Sequence, residues 1–266
     1  MRKGTLSRGA LGIPYLVFQL LFIVLPLLVI VYYAFTNGEG RFSMENFFGF
    51  FTNSRTMGTL VYSFIIALVT TAVCLLIAYP VALILARGGY KRSNVLLMLF
   101  VMPMWINFAL RITALKEILT LVEGNLAYHP FFNTIVGMTY DFLPFMILPI
   151  YNTIVKIDQS YVEAATDLGA KKSAVLFRIL LPLSMPGIIS GVTMVLLPSM
   201  TNYVVLDMLY NSTYIMGSLI GSYFASYDWH NGSVISLILL LLILLFSFVS
   251  GEFTEEKTEE GGGRRG

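Results

Sequence analysis

The chain has 266 residues, of which 57% are apolar and 12% charged, where an ordinary soluble domain carries about a quarter charged residues. A net charge of +2 supplies no nucleic-acid surface, and a single cysteine, Cys74, excludes a disulfide framework and a cysteine-built zinc site. The mean hydropathy is +0.78 and the apolar residues gather in runs of about 20, so the expected class is an all-α membrane protein.

Six spans are predicted, at 11–35, 60–86, 95–119, 134–155, 183–206 and 232–250. The first follows Arg2, Lys3 and Arg8 but is far longer than a signal-peptide core and has no A-x-A-like site after it. It reads as an uncleaved transmembrane helix. The third carries Arg111, Lys116 and Glu117 in its last third, and could end near Leu110 with a short interfacial helix beyond. Pro26, Pro80, Pro103, Pro144, Pro149 and Pro198 fall inside spans. Each removes a backbone donor, and the freed carbonyl must find a partner in protein or in a water-lined cavity. That suits a bundle with a pathway, although proline is also simply frequent in membrane helices. Residues 1–250 read as one transmembrane domain, and the acidic, Gly-rich tail at 251–266 as disordered.

Basic residues set the orientation. Arg2, Lys3, Arg8, Arg87, Lys91, Arg92, Lys156, Lys171, Lys172, Arg178, Lys257, Arg264 and Arg265 lie in one set of alternating segments. Arg41, Arg55, Arg111 and Lys116, the rest of the 17, lie in the other. By the positive-inside rule both termini, the 87–94 loop and the 156–182 segment are cytoplasmic.

That last segment is the most informative. Ser160 and Glu163 have capping-box spacing, so a helix is expected from Tyr161 to Leu168, ended by Gly169 in a left-handed turn. A second helix is expected from about Lys171 through Val175, Leu176, Ile179 and Leu180 to Pro182. Taken alone, this is either a solvated amphipathic loop or a docking helix for a cytoplasmic partner.

The stretch EAATDLGAKKSAVLFRILLP, Glu163 to Pro182, resembles the EAA motif of permeases of binding-protein-dependent ABC importers. Glu163, Ala164, Ala165, Gly169, Ile179, Leu181 and Pro182 match it at every spacing. More of the chain, including 101–119, 143–158 and 187–209, resembles spermidine/putrescine importer permeases of the PotB type. After Asp207 it departs from their pattern, with Leu209 and Tyr210 where a Gly pair is usual. The resemblance implies a type I importer permease fold with 160–182 as the coupling segment. Glu163, Ala164, Ala165, Asp167 and Gly169 would then meet an ATPase subunit. It also implies a second, PotC-like permease, two copies of the ATPase, an extracytoplasmic substrate-binding protein, and ATP and magnesium held by the ATPase.

A polyamine pathway needs carboxylates and aromatic faces for its ammonium groups. Ionisable groups within the membrane are the natural candidates because they are costly there. Asp207, at the outer end of the fifth span, matches the family pattern; Asp141 lies within the fourth span, where the family usually has an apolar residue. Trp105, Asn107 and Tyr203 are further candidates for the pathway or its gate. Arg111 would pair with Asp141, Asp207 or Glu117 to hold that gate. Asp228, between Tyr227 and Trp229, could face substrate or binding protein. His129 and His230 are isolated, and no enzyme or metal-site pattern appears. A permease for another solute, such as thiamine, iron or an anion, a stand-alone secondary transporter and a structural membrane protein remain as alternatives.

Overall fold

The computed structural model describes residues 13–210 and 215–262, so Arg2, Lys3, Arg8, Arg264 and Arg265 lie outside the described residues. In chain order the main helices are α1 (Ile13–Ala34), α2 (Glu45–Thr52), α3 (Ser54–Arg87), α4 (Ser93–Val101), α5 (Phe108–Glu123) and α6 (Pro130–Lys156). They continue as α7 (Ser160–Asp167), α8 (Lys172–Leu183), α9 (Met185–Ser199), α10 (Tyr203–Tyr210), α11 (Met216–Ala225) and α12 (Trp229–Gly262).

Helices α1, α3, α6 and the Trp229–Phe248 part of α12 are long and apolar enough to cross a membrane. Two bent pairs bring the number to six if each forms one span. The expected third span is one of them: α4 runs through a 3-10 turn at Met102–Trp105, then meets α5 at 98°. Pro103 has no N–H for the carbonyl four residues back, and Asn107 starts a new helix by accepting a hydrogen bond from the Ala109 amide at 2.9 Å. The break therefore falls before Leu110, and α5 beyond it is a full helix of 16 residues rather than a short interfacial one. The expected fifth span is also discontinuous. Helix α8, which includes a π-helical turn at Leu176–Leu180, meets α9 at 65°, and α9 stops at Ser199. There the Ser199 and Thr201 hydroxyls bond back to the Leu196 and Pro198 carbonyls, competing with the helical ladder. At the C-terminus the backbone stays helical to Gly262, whereas disorder is expected from residue 251; Glu and Lys in that stretch are good helix formers.

The chain packs as two compact units. One comprises the residues up to Gly58 together with Leu219–Leu242. In it α1 presents an apolar surface that is unburied except at Ala34, which suits contact with lipid. The Phe35 ring packs on Phe42 and Phe47, and His230 Nδ1 lies 3.1 Å from the Tyr33 carbonyl. A cavity of about 240 Å³ opens among Asn46, Phe50, Asn53, Tyr223 and Asn231. The Asp228 carboxylate accepts from the Asn231 amide at 3.1 Å and from its side chain at 2.8 Å, so it caps α12.

The other unit, Thr59–Ser218 with the chain from Ile243 onward, is organised around α6. Met138, Met146, Ile147, Ile150 and Ile154 are fully buried there. Helix α9 packs along α6 through Gly187 and Gly191, a small-xxx-small pair of the kind that lets membrane helices approach closely. A Cβ on Gly187 would lie 2.5 Å from Thr153 Oγ1 and 2.7 Å from the Pro149 carbonyl oxygen. A Cβ on Gly191 would meet first the flexible Met146 sulfur, at 2.7 Å. Gly187→Ala is therefore expected to push α9 off α6 and to lower stability by about 1–3 kcal/mol. Gly191→Ala is expected to cost less, because Met146 can move. Thermal unfolding of the purified protein in detergent checks the order, and equal tolerance at both positions contradicts it.

Candidate functional site

Two sites emerge from the sequence candidates, and both lie in the unit built around α6. The first is a buried ion pair. Arg111 sits one turn into α5, placed by the Asn107 cap, and Asp141 sits mid-way along α6. Arg111 Nη2 donates to Asp141 Oδ1 at 2.8 Å, and each side chain is only 7% exposed. Asn202, in the break between α9 and α10, donates to Asp141 Oδ2 at 3.3 Å. The guanidinium also lies 5.9 Å from the Phe108 ring centre and 6.0 Å from that of Tyr140, within cation–π range. One carboxylate on the continuous helix α6 thus receives a donor from each interrupted span. Of the three partners offered for Arg111, the structure selects Asp141. Asn202 was missed; a polar side chain just short of a helix start, closing the polar interruption at Ser199, Thr201 and Asn202, was the available signal.

The remaining pathway candidates separate from this pair. Trp105 is 78% exposed and ends the 3-10 turn before the 98° bend, whereas Arg111 is buried beyond it. Asn107 acts as a helix cap. Asp207 is exposed and takes no part in the Asp141 cluster. It lies one turn beyond Tyr203, 43% exposed, so α10 carries an aromatic ring and a carboxylate on one open face. That pairing can hold an ammonium group.

The second site is α7. The expected capping box does not form. Gln159 is the N-cap residue, and the Ser160 amide donates to Asp158 Oδ1 at 2.9 Å. That backbone hydrogen bond is the main reason the Asp158 carboxyl is held below the usual carboxylate range. The cap is thus present above the ordinary carboxylate pKa and is lost as pH falls through the lowered one. The Glu163 side chain, relieved of capping, is exposed. The other end matches expectation: Gly169 has φ +79°, its amide bonds the Thr166 carbonyl at 2.9 Å, and the Ala170 amide bonds that of Ala165 at 3.0 Å. This Schellman arrangement requires the left-handed residue at Gly169. Ala164, Asp167 and Gly169 are exposed, Ala165 is half-buried, and Leu168 is 89% exposed. Lysine and arginine counting assigned Arg87 only a topological role. In the structure its guanidinium bonds the Gln159 side chain and the Ile154 and Ile157 carbonyls, at the root of α7.

The described chain thus combines interrupted spans with an exposed, end-capped helix that follows α6, the architecture shared by the importer permeases named below. The chain belongs to the family of binding-protein-dependent transport system inner membrane components, matched over residues 78–253. It is a multi-pass permease subunit of a binding-protein-dependent ABC importer, a non-catalytic membrane component whose ATP is bound by a separate ATPase. It is 35% identical to the spermidine/putrescine transport system permease protein PotB of Haemophilus influenzae, with 86% of this chain and 87% of that one covered. It is 32% identical to PotB of Escherichia coli, with 90% and 96% covered. Among solved structures, a bacterial ABC transporter involved in import of the acidic polysaccharide alginate matches at 14% identity with a TM-score of 0.69, covering 93% of this chain and 94% of that one. The MetNI methionine ABC transporter in an inward-facing conformation matches at 18% identity with a TM-score of 0.58, covering 77% and 99%. These two establish the fold.

Removing one partner of a buried ion pair leaves the other charge uncompensated, at a cost of about 3–5 kcal/mol. Arg111→Met and Asp141→Leu are each expected to destabilise the protein by that order, and the double variant by much less than their sum. A double-mutant cycle on unfolding in detergent measures this, and additive losses would show that the pair is not coupled.

Proposed function

We propose that the chain forms one half of the translocation pathway of a polyamine importer, beside a second, related permease of the PotC kind. Two copies of an ATPase subunit bind on the cytoplasmic side and a substrate-binding protein docks outside. The observation that carries the solute is the identity to two spermidine/putrescine permeases over nearly their whole length. The fold does not carry it, because transporters for alginate and methionine share it.

In this reading both termini are cytoplasmic, as the distribution of basic residues favours. Helix α7 is the coupling helix. Glu163, Ala164, Asp167 and Gly169 form its contact face with the ATPase, and their exposure supports that role. Tyr203 and Asp207 receive an ammonium group at the outer end of the pathway, and Trp105 lines or gates it. The pair of Arg111 with Asp141 holds the two interrupted spans together rather than binding substrate, since its carboxylate is already engaged on both oxygens. ATP-driven closure of the ATPases is transmitted through α7, opening the pathway first outward and then inward.

The test is uptake of labelled spermidine and putrescine into proteoliposomes holding the complete importer. Uptake is expected to require ATP, the ATPase and the binding protein. Uptake without any ATPase would overturn the importer reading, and ATP hydrolysis indifferent to polyamine would overturn the solute. Glu163→Gln is expected to weaken ATPase coupling while leaving α7 helical, because Asp158 supplies the cap. Unaltered coupling in that variant would remove the carboxylate from the interface.

A further inference from the structure

We infer that α3 is a two-point brace for the coupling segment, with Arg87 and Tyr79 as its positioning residues. The inference rests on the reading of α7 as the ATPase-docking helix and adds the route by which its displacement reaches the membrane.

The first point is the entrance to the segment. Arg87 is the last residue of α3. Its Nη2 donates to the Ile154 carbonyl at 3.3 Å, which also accepts from the Ile157 amide at 3.2 Å, and to the Ile157 carbonyl just past the end of α6. Its Nη1 donates to Gln159 Oε1. Gln159 is also the residue whose carbonyl accepts the first hydrogen bonds of α7, from Val162 at 3.0 Å and Glu163 at 3.1 Å. One planar guanidinium thus joins the end of α3, the end of α6 and the start of α7. A lysine ammonium lacks the fixed fork needed to hold all three.

The second point is the exit. Ser184 is fully buried and stands between α8 and α9, at the 65° bend. Its Oγ donates to Tyr79 Oη at 3.2 Å and shares that proton with the Leu181 carbonyl at 3.0 Å. Tyr79 lies eight residues before Arg87, about 12 Å along α3. The segment between Asp158 and Ser184 is therefore held at both ends by one helix. The same two ends are tied to each other by the close packing of α9 on α6 at Gly187. A push on α7 has little slack to take up at either root, so it loads α3.

The experiment measures solute uptake and ATP hydrolysis in the same proteoliposomes, using the complete importer. For Arg87→Ala the expected result is sustained ATP hydrolysis with solute moved per ATP reduced about fivefold or more, the lower end of ordinary coupling free energies. Arg87→Lys is expected to recover only part of the ratio. Gln159→Ala is expected to add little in the Arg87→Ala background, because both changes cut the same link. Uptake and hydrolysis falling together, in proportion to the amount of assembled complex, would reduce Arg87 to a folding residue and overturn the inference. Should Arg87→Ala fail to assemble, Tyr79→Phe removes a single oxygen, and an unchanged ratio there overturns the second point. The docking reading has its own control. Ala164→Trp is expected to abolish capture of the ATPase, and retained capture overturns that reading whatever the Arg87 ratio shows.

Discussion

The carboxylate of Asp141 is the constraint on which the unit built around α6 depends. A charged group inside an apolar bundle is tolerated only when it is paired with an opposite charge and hydrogen-bonded. Here the donors come from two helices that cannot run straight. Helix α5 must begin afresh at Asn107 for Arg111 to reach inward, and the chain must leave the helical path after Ser199 for Asn202 to do so. The interruptions and the buried charge explain each other. Irregular backbone within the membrane needs protein partners, and a polar centre beside it supplies them. Two Arg111 donors, Nε and Nη1, are buried without a hydrogen-bond partner, and the flanking Phe108 and Tyr140 rings offset part of that deficit.

The cytoplasmic end is built on a different principle. Helix α7 has eight residues, too few for a helix to be stable in water by itself. Its order comes from its ends: the Asp158 cap and Gln159 carbonyl at one, the left-handed Gly169 at the other. Its sides are left open, and Leu168 and Tyr161 are both more exposed than apolar and aromatic residues usually are. An element secured only through its termini can give both long faces to another molecule without losing its shape. That combination is what a transmission helix needs.

Much of this was legible in the sequence. Composition and run length give the membrane class, and the spacing from Ser160 to Pro182 gives the helix, the turn at Gly169 and the second helix of that segment. The prolines were only partly legible. Pro103 and Pro198 stand at breaks, whereas Pro80, Pro144 and Pro149 sit inside continuous helices. The difference lies in the neighbours, since Asn107 can cap a new helix, and Ser199 and Thr201 can satisfy carbonyls locally. The capping box misled because Asp158 and Ser160 offer competing ways to start one helix, and spacing cannot rank them. The contacts of Arg87, Asn202 and Tyr79 are not legible in the sequence because their partners are 61 to 105 residues away. Nothing local distinguishes these three from ordinary polar residues. The four-residue spacing of Gly187 and Gly191 signals close packing, but spacing alone does not say which helix lies against them.

Helix α3 has 34 residues and is therefore about 51 Å long, against a hydrocarbon core of about 30 Å. It overshoots that core even when tilted by about 40°, and it has no break along its length despite Pro80. Such a helix acts as a rigid arm. Rocking it by about 5° about one end carries the other end about 4 Å sideways, well within the tilts that membrane helices adopt. Small rotations near Arg87 would thus be magnified into shifts as large as a side chain at the opposite face. The length of α3 sets the gain.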